Sequence, residues 1–151
     1  MSSLAFEALD RHVIGGRADD LAVAGAARPV TYARLLELSA ALGGGLRLLG
    51  VEPGTSVDLR VEPGLDQVVA VLAVVRLHLE VAEGGDPRLG GADPLRVHLG
   101  TDEYEWDTVL KAGAGNPAGA AERDPEGYSD RMRARFGHLL DPLLGGGTVT
   151  L

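Results

Sequence analysis

The segment from Leu65 to Leu77 constrains the fold most strongly, because apolar side chains occupy nearly every side of it. Its length favours a helix, although its β-branched valines are also common in strands. A helix of this kind is stable only when most of its circumference is covered by other parts of the protein. The chain must therefore place packed layers around this segment.

Three other segments repeat apolar residues at helical spacing and predict further helices. Leu4–Ile14 predicts a short helix capped by Ser3, a second helix follows Thr31, and a last helix follows Asp130, since these residue types favour N-caps. The apolar faces are formed by Leu35, Leu38, Leu42, Leu46 and Leu49 in the second helix and by Met132, Phe136, Leu139, Leu140 and Leu143 in the last. These helices supply the cover that the apolar segment needs.

Three consecutive glycines, Gly43–Gly45, lie inside the second predicted helix. Each glycine costs about 1 kcal/mol of helix stability relative to alanine. We therefore expect this stretch either to be locally weak or to pack very closely against a neighbouring element.

Short apolar or alternating runs predict strands. In the central one, Val57, Leu59 and Val61 alternate with Asp58 and Arg60. The other predicted strands are Asp20–Ala24 paired with Val30, Leu79–Ala82, Leu95–Leu99 and Thr148–Leu151.

Two glycine- and proline-containing stretches predict connections between these elements. Gly84–Pro94 predicts a loop, and Thr101–Gly127 predicts a loop-rich connector with a short helix at Asp107–Ala112. The order of strands and helices predicts an α/β fold, with a mainly parallel sheet flanked by helices, in a single domain spanning residues 1–151.

Charge and cysteine content exclude several classes of function. The 151 residues include 14 basic and 22 acidic side chains, which argues against a nucleic-acid partner. The absence of cysteine excludes disulfides and thiolate metal sites and is typical of a cytoplasmic protein. The longest apolar run, Val68–Val75, is far shorter than the roughly 20 residues of a membrane span.

Two groups of side chains are candidate contact sites. Arg131, Arg133 and Arg135 could bind an anion or a partner, but on a helix they spread over more than one face, which favours a solvated surface with salt bridges. Tyr104 and Trp106 lie within an acidic strip where a cation or a basic partner could dock, and a solvated loop is the alternative.

The remaining motifs have structural explanations. Gly113–Gly119 has the wrong spacing for a dinucleotide fingerprint and predicts an ordinary loop. His12, His78, His98 and His138 show no metal-ligand spacing with carboxylates. We therefore identify no catalytic residue, no metal ligand and no cofactor.

Several segments together resemble the adenylate-forming enzymes, the family of acyl-CoA synthetases, nonribosomal peptide adenylation domains and luciferases. The most specific are Arg28–Ser39, which reads RPVTYARLLELS, and Leu46–Val57, which reads LRLLGVEPGTSV. Trp106–Gly113, Asp124–Tyr128 and Phe136–Leu151 are similar to later parts of the same N-terminal region. The resemblance implies a reduced version of the N-terminal subdomain of acyl-CoA synthetases.

The chain lacks the motifs that the resemblance would require for catalysis. No phosphate loop ending in Pro-Lys-Gly is present, and only a short stretch separates Tyr128 from Phe136, where that loop would stand. Adenylation needs cations and backbone donors around the reacting phosphorus. The resemblance therefore implies a non-catalytic remnant that acts as a binding or protein-interaction module; the alternatives are one component of a split ligase and a small-molecule (acyl or CoA-type) binding protein.

A remnant of a larger domain must also hide or change the surfaces that its lost layers covered. The strand of the family that Val57–Val61 resembles is apolar on both faces, so Asp58 and Arg60 here predict a face returned to water. Remaining apolar surface predicts a homo-oligomer or a protein partner, with Leu65–Leu77 between subunits if the monomer cannot cover it.

Overall fold

The computed structural model describes residues 2–91 and 93–151. An N-terminal helical segment contains two π-helical turns, Phe6–Asp10 and Val13–Arg17. The longer helices are α1 (Tyr32–Leu48), α2 (Leu65–Arg76), α3 (Trp106–Ala114) and α4 (Tyr128–Leu144). The strands are β1 (Leu21–Ala24), β2 (Val30–Thr31), β3 (Ser56–Arg60), β4 (Glu80–Val81), β5 (Arg88–Gly90), β6 (Arg96–Leu99), β7 (Asp102–Glu105) and β8 (Val149–Thr150).

Side-chain caps start two of the predicted helices and not the third. The Thr31 hydroxyl accepts a hydrogen bond from the Arg34 backbone at 3.2 Å and starts α1, and Ser3 accepts one from the Phe6 backbone at 3.3 Å. The prediction that Asp130 caps the last helix is wrong. That helix already begins at Tyr128, because Gly127 turns the chain with a φ of 76° that favours glycine.

Two mixed sheets replace the mainly parallel sheet that the sequence predicted. One has the order β2-β1-β8, and the other has the order β4-β3-β5-β6-β7. β1 pairs in parallel with β8, and β3 pairs in parallel with β4 and β5, whereas β5, β6 and β7 form an antiparallel meander. The error arose because β5 lies in the predicted loop Gly84–Pro94 and β7 lies in the predicted connector.

The apolar helix α2 is covered by its own chain. Every residue from Val68 to Val75 is at most 3% exposed. The helix contacts α1 and α4, and its residues form one continuous cluster with the apolar faces of the other helices and strands. Because the monomer itself covers this helix, the condition under which we expected it at a subunit interface is not met.

The glycine triplet of α1 forms a close contact with α3. All three glycines are buried, and a Cβ on Gly44 or Gly45 would overlap the backbone oxygens of Asn116 and Val109. On the α3 side, a Cβ on Gly113 would overlap the Ala41 backbone oxygen. Of the two expectations for the triplet, close packing is therefore confirmed, and we call this contact the glycine seam. Within the described residues, no helix is both long and apolar enough to cross a membrane.

Candidate functional site

A large cleft opens where several strands end. Segments that follow β1, β3, β5 and β8 line it: Gly25–Ala27, Val61–Asp66, Gly91 and Leu151. The loop leading to β6 adds further side chains, and the volume is about 980 Å³. Ligands of open α/β sheets bind in crevices beyond the carboxyl ends of strands, so this strand-end cleft is the first candidate site.

The polar groups of the strand-end cleft are mostly acidic. Glu62, Asp66 and Asp93 line it together with a single arginine, Arg60. The Arg60 Nε already donates to the Asp58 carboxylate at 3.0 Å. The described lining therefore presents free carboxylates and no unpaired cation, which disfavours a polyphosphate.

Asp66 stands out among these carboxylates. It lies in the first turn of α2, where the helix dipole stabilises a negative charge. Nevertheless, partial burial raises the pKa of the Asp66 carboxyl, and the nearby Asp107 carboxylate raises it further. The charged form is therefore less stable here than in water, and a cationic or hydrogen-bonding group in the cleft would stabilise it.

Asp58 corrects the prediction that its face returned to water. The residue is only 7% exposed, and its Oδ2 accepts hydrogen bonds from Arg60 Nε at 3.0 Å and from the Gly84 backbone at 3.2 Å. The hydrogen bond from Arg60 is the main reason that the pKa of Asp58 is lowered. Arg60 itself is half exposed, so the face is polar but its central carboxylate is sequestered.

A second cleft, of about 550 Å³, lies between the ends of α1 and α2 and residues 119–121. Its basic side chains serve the fold. Arg76 Nη1 and Nη2 donate to both Asp10 oxygens at 2.9 and 2.7 Å, and its Nε donates to the Ala118 oxygen at 2.7 Å. His78 Nε2 lies 2.9 Å from Asp124 Oδ1. These contacts hold residues 115–124 against the helices, so the predicted loop is a fixed part of the structure.

The Tyr128 hydroxyl fixes the start of α4 to the end of α2. It is buried within hydrogen-bond distance of the Leu79 and Val74 carbonyl oxygens, at 2.7 and 3.2 Å. Burial raises the pKa of this phenol well above its ordinary value. The hydroxyl is therefore a structural donor and not an acid–base group.

The three arginines predicted to contact an anion or a partner all have bonds within the chain. Arg131 Nη2 lies 2.6 Å from Glu80 Oε1, Arg133 Nε lies 3.0 Å from Asp141 Oδ1, and Arg135 Nη1 donates to the Val81 oxygen at 2.8 Å. Arg131 and Arg135 both contact β4, whereas Arg133 pairs with a residue of its own helix, α4. The structure therefore does not gather all three into one site.

The two aromatic residues of the predicted contact site, Tyr104 and Trp106, lie in different surroundings. Trp106 is only 5% exposed and packs in the core at the start of α3, so its ring cannot dock a partner in this conformation. Tyr104 is half-buried on β7. The acidic side chains next to them are exposed along β7, which is a strand and not a loop. Among the described residues, no three His, Asp or Glu side chains cluster as metal ligands would.

Sequence reasoning missed Asp66, Asp93 and the pair Arg88 and His98 as a group. Arg88 and His98 are directly opposite each other on β5 and β6. Their alignment could be found only after β5 was recognised as a strand, and its flanking glycines and prolines hid that signal.

Comparison with known structures finds a similar fold in part of Klebsiella oxytoca NpsA. The N-terminal subdomain of Klebsiella oxytoca NpsA matches 62% of this chain and 22% of its own chain, with 18% identity and a TM-score of 0.50. The same subdomain in complex with 3-hydroxyanthranilyl-AMSN matches 55% of this chain and 21% of its own, with 19% identity and a TM-score of 0.50. An artificially fused adenylation-PCP di-domain, NpsA-ThdA from the same organism, matches 58% and 16%, with 19% identity and a TM-score of 0.50.

These matches support the fold resemblance and are limited in extent. The chain spans only about a fifth of the length of the structures that it matches. No protein-family model and no curated protein sequence matches it.

Proposed function

We propose that this chain is a non-catalytic fragment with an adenylate-forming-ligase-like fold that binds a small amphipathic molecule, neutral or cationic, in the strand-end cleft. The cleft itself is the observation that carries the proposal. It has the position and size expected of a ligand site in an α/β protein, and leucine and proline side chains supply an apolar wall.

Charge supports the non-catalytic part of the proposal. Adenylation requires positive groups around the triphosphate, but the cleft presents Glu62, Asp66 and Asp93 against an Arg60 that is already paired. The only lysine of the sequence, Lys111, lies exposed on α3 and does not line the cleft. Within the described lining, the only cation for a phosphoryl group is the Arg60 side chain that is already paired with Asp58.

Binding and turnover assays test the two parts together. Phenethylamine and phenethyl alcohol, a cation and its neutral analogue, serve as calorimetric probes, with ATP and AMP as nucleotide probes. We expect saturable binding of phenethylamine, weaker binding of the alcohol and no saturable binding of ATP. ATP–pyrophosphate exchange in the presence of 3-hydroxybenzoate should be absent, and measurable exchange would overturn the non-catalytic part.

A matched pair of variants locates the binding. Ala27→Trp places a large ring in the cleft from an exposed loop position, and Ala114→Trp adds the same ring at an exposed position outside it. We expect Ala27→Trp to weaken phenethylamine binding at least tenfold and Ala114→Trp to leave it unchanged. Equal affinity of the two variants would overturn the assignment of the cleft.

One observation favours a second candidate function, namely that the chain spans only about a fifth of the matched structures. On this reading, the chain is one component of a split ligase. A second polypeptide carrying a phosphate loop should then restore ATP–pyrophosphate exchange when mixed with this chain. No gain of exchange over the second polypeptide alone would reject this candidate.

A further inference from the structure

A row of polar side chains crosses one face of the five-stranded sheet. Asp58 on β3 is opposite Arg88 on β5, Arg88 is opposite His98 on β6, and His98 is opposite Glu103 on β7. Directly opposite residues in a sheet share a face, with Cβ atoms about 4.5–5.5 Å apart. The register therefore brings two basic side chains together between two carboxylates.

The carboxylates at the ends of this row are already taken by other arginines. Arg60 Nε donates to Asp58 Oδ2 at 3.0 Å, and Arg96 Nε lies 3.0 Å from Glu103 Oε1. The charge of Arg88 contributes to lowering the pKa of Asp58, but no hydrogen bond joins the two side chains among the described residues. The middle of the row is left without an acceptor.

Arg88 Nε and His98 Nε2 are both inaccessible to solvent and have no hydrogen-bond partner in the described part of the chain. Both residues are half-buried, so their side chains still reach the surface. Two other arginines, Arg28 and Arg123, have no hydrogen-bond or ion-pair partner among the described residues, and both are exposed. Water can solvate those exposed groups, whereas a buried donor to which no acceptor is offered costs free energy.

We infer that Arg88 and His98 form a binding site for a small oxyanion, a phosphate or carboxylate group, on the open face of this sheet. The Arg88 Nε–H and the His98 Nε2–H both donate to the oxyanion. The oxyanion reaches them from solvent when the exposed ends of the two side chains move apart. Bonds to an ionised acceptor are about twice as strong as neutral ones. This site is separate from the strand-end cleft and does not depend on the proposed function.

Side-chain NMR of the intact protein tests the site directly. The Nε–Hε resonance of Arg88 is followed while sodium phosphate or sodium acetate replaces sodium chloride at constant ionic strength. We expect a saturable shift of the Arg88 signal and no saturable shift of the exposed Arg123 signal. Saturation by phosphate alone, or by both anions, identifies the accepted group, and no saturable shift with either anion overturns the inference.

Variants add a second measurement of the same site. Arg88→Gln removes the charged donor, and Arg123→Gln removes an exposed arginine with the same change of net charge. Calorimetry should show at least a tenfold loss of affinity for the anion in Arg88→Gln and unchanged affinity in Arg123→Gln. Equal affinity of the two variants overturns the inference, and the titration of the unmodified protein remains decisive if Arg88→Gln does not fold.

Discussion

The glycine seam and the polar row of the five-stranded sheet are two surfaces of the same molecule with opposite packing. At the seam, α1 and α3 approach so closely that even a Cβ would overlap backbone atoms. On the sheet, large polar side chains lie side by side, and two of their nitrogen atoms find no acceptor among the described residues. The seam is specified by shape, whereas the polar row has unused hydrogen-bonding capacity. A closed contact of the first kind serves stability, and unused donors of the second kind can serve binding.

The largest effect should come from adding volume to the seam. Gly113→Ala would place a Cβ against the Ala41 backbone oxygen, which cannot move without displacing α1. We expect a loss of about 3 kcal/mol in the free energy of unfolding, the upper end for overpacking in a core. Urea denaturation measures it.

Gly15→Ala is the matched control for the seam. Nothing lies within 4 Å of a Cβ at that position, which belongs to the N-terminal helical segment. We expect no loss of stability and a gain of up to about 1 kcal/mol, because alanine restricts the unfolded chain. Equal effects of the two substitutions would show that the seam is not tightly packed.

A second effect of similar size concerns a charge pair that closes the core beside the seam. Arg76→Met would leave Asp10 without its two hydrogen bonds and the Ala118 oxygen without its donor. We expect a loss of about 3 kcal/mol, which Asp10→Asn in the same chain should partly restore. Thermal and urea unfolding measure both variants.

Arg34→Met controls for the general loss of an arginine. Arg34 and Glu37 form an exposed ion pair at 2.7 Å, with side chains that are 55% and 67% accessible. Exposed pairs contribute about 0–1 kcal/mol. If Arg34→Met destabilised the protein as much as Arg76→Met, the buried pair would have no special role.

The smallest effects concern two aspartates in different surroundings, Asp58 on the five-stranded sheet and Asp66 in the strand-end cleft. The pKa of Asp58 is lowered from 3.8 by the hydrogen bond from Arg60, so its contribution to stability is present above that pH and is lost as the pH falls through the lowered value. The pKa of Asp66 is raised from 3.8 by burial, so its contribution is present below that pH and is lost as the pH rises through the raised value.

Asparagine substitutions should therefore have opposite effects at neutral pH. Asp58→Asn should destabilise the protein at pH 7 and flatten its loss of stability below pH 4, whereas Asp66→Asn should stabilise it at pH 7. Urea unfolding between pH 3 and 7 gives the slopes. If both substitutions changed the stability at pH 7 in the same direction, the opposite pKa shifts of Asp58 and Asp66 would be contradicted.

The sequence predicted the elements whose signals are local and long. The leucine repeat after Thr31 and the apolar run of α2 defined two helices, since period and capping are properties of neighbouring residues. The pairing of β5 with β6 depends on residues separated by a turn of glycine and proline, and neither its direction nor its register follows from local pattern. Hence the mixed sheets and the meeting of Arg88 with His98 were not predictable.

The candidate contact residues show a related limit. The arginines of α4 were correctly placed on a helix, but tertiary packing sets the partners of two of them, Glu80 and Val81 on β4. Trp106 was placed in an acidic strip because its sequence neighbours are charged, whereas packing at the start of α3 buries the indole. Composition predicted which residues are polar and could not predict which were already paired.

The glycine seam also determines how the molecule opens. Three glycines make the second half of α1 intrinsically weak as an isolated helix, so that half persists only while α3 is docked against it. The backbone amides of Leu42–Leu46 and of Val109–Gly113 should therefore exchange with deuterium at similar free energies of opening, as one cooperative unit formed by segments far apart in the chain. The connector that holds α3 is thus coupled to α1, and its detachment would unfold the second half of α1 as well.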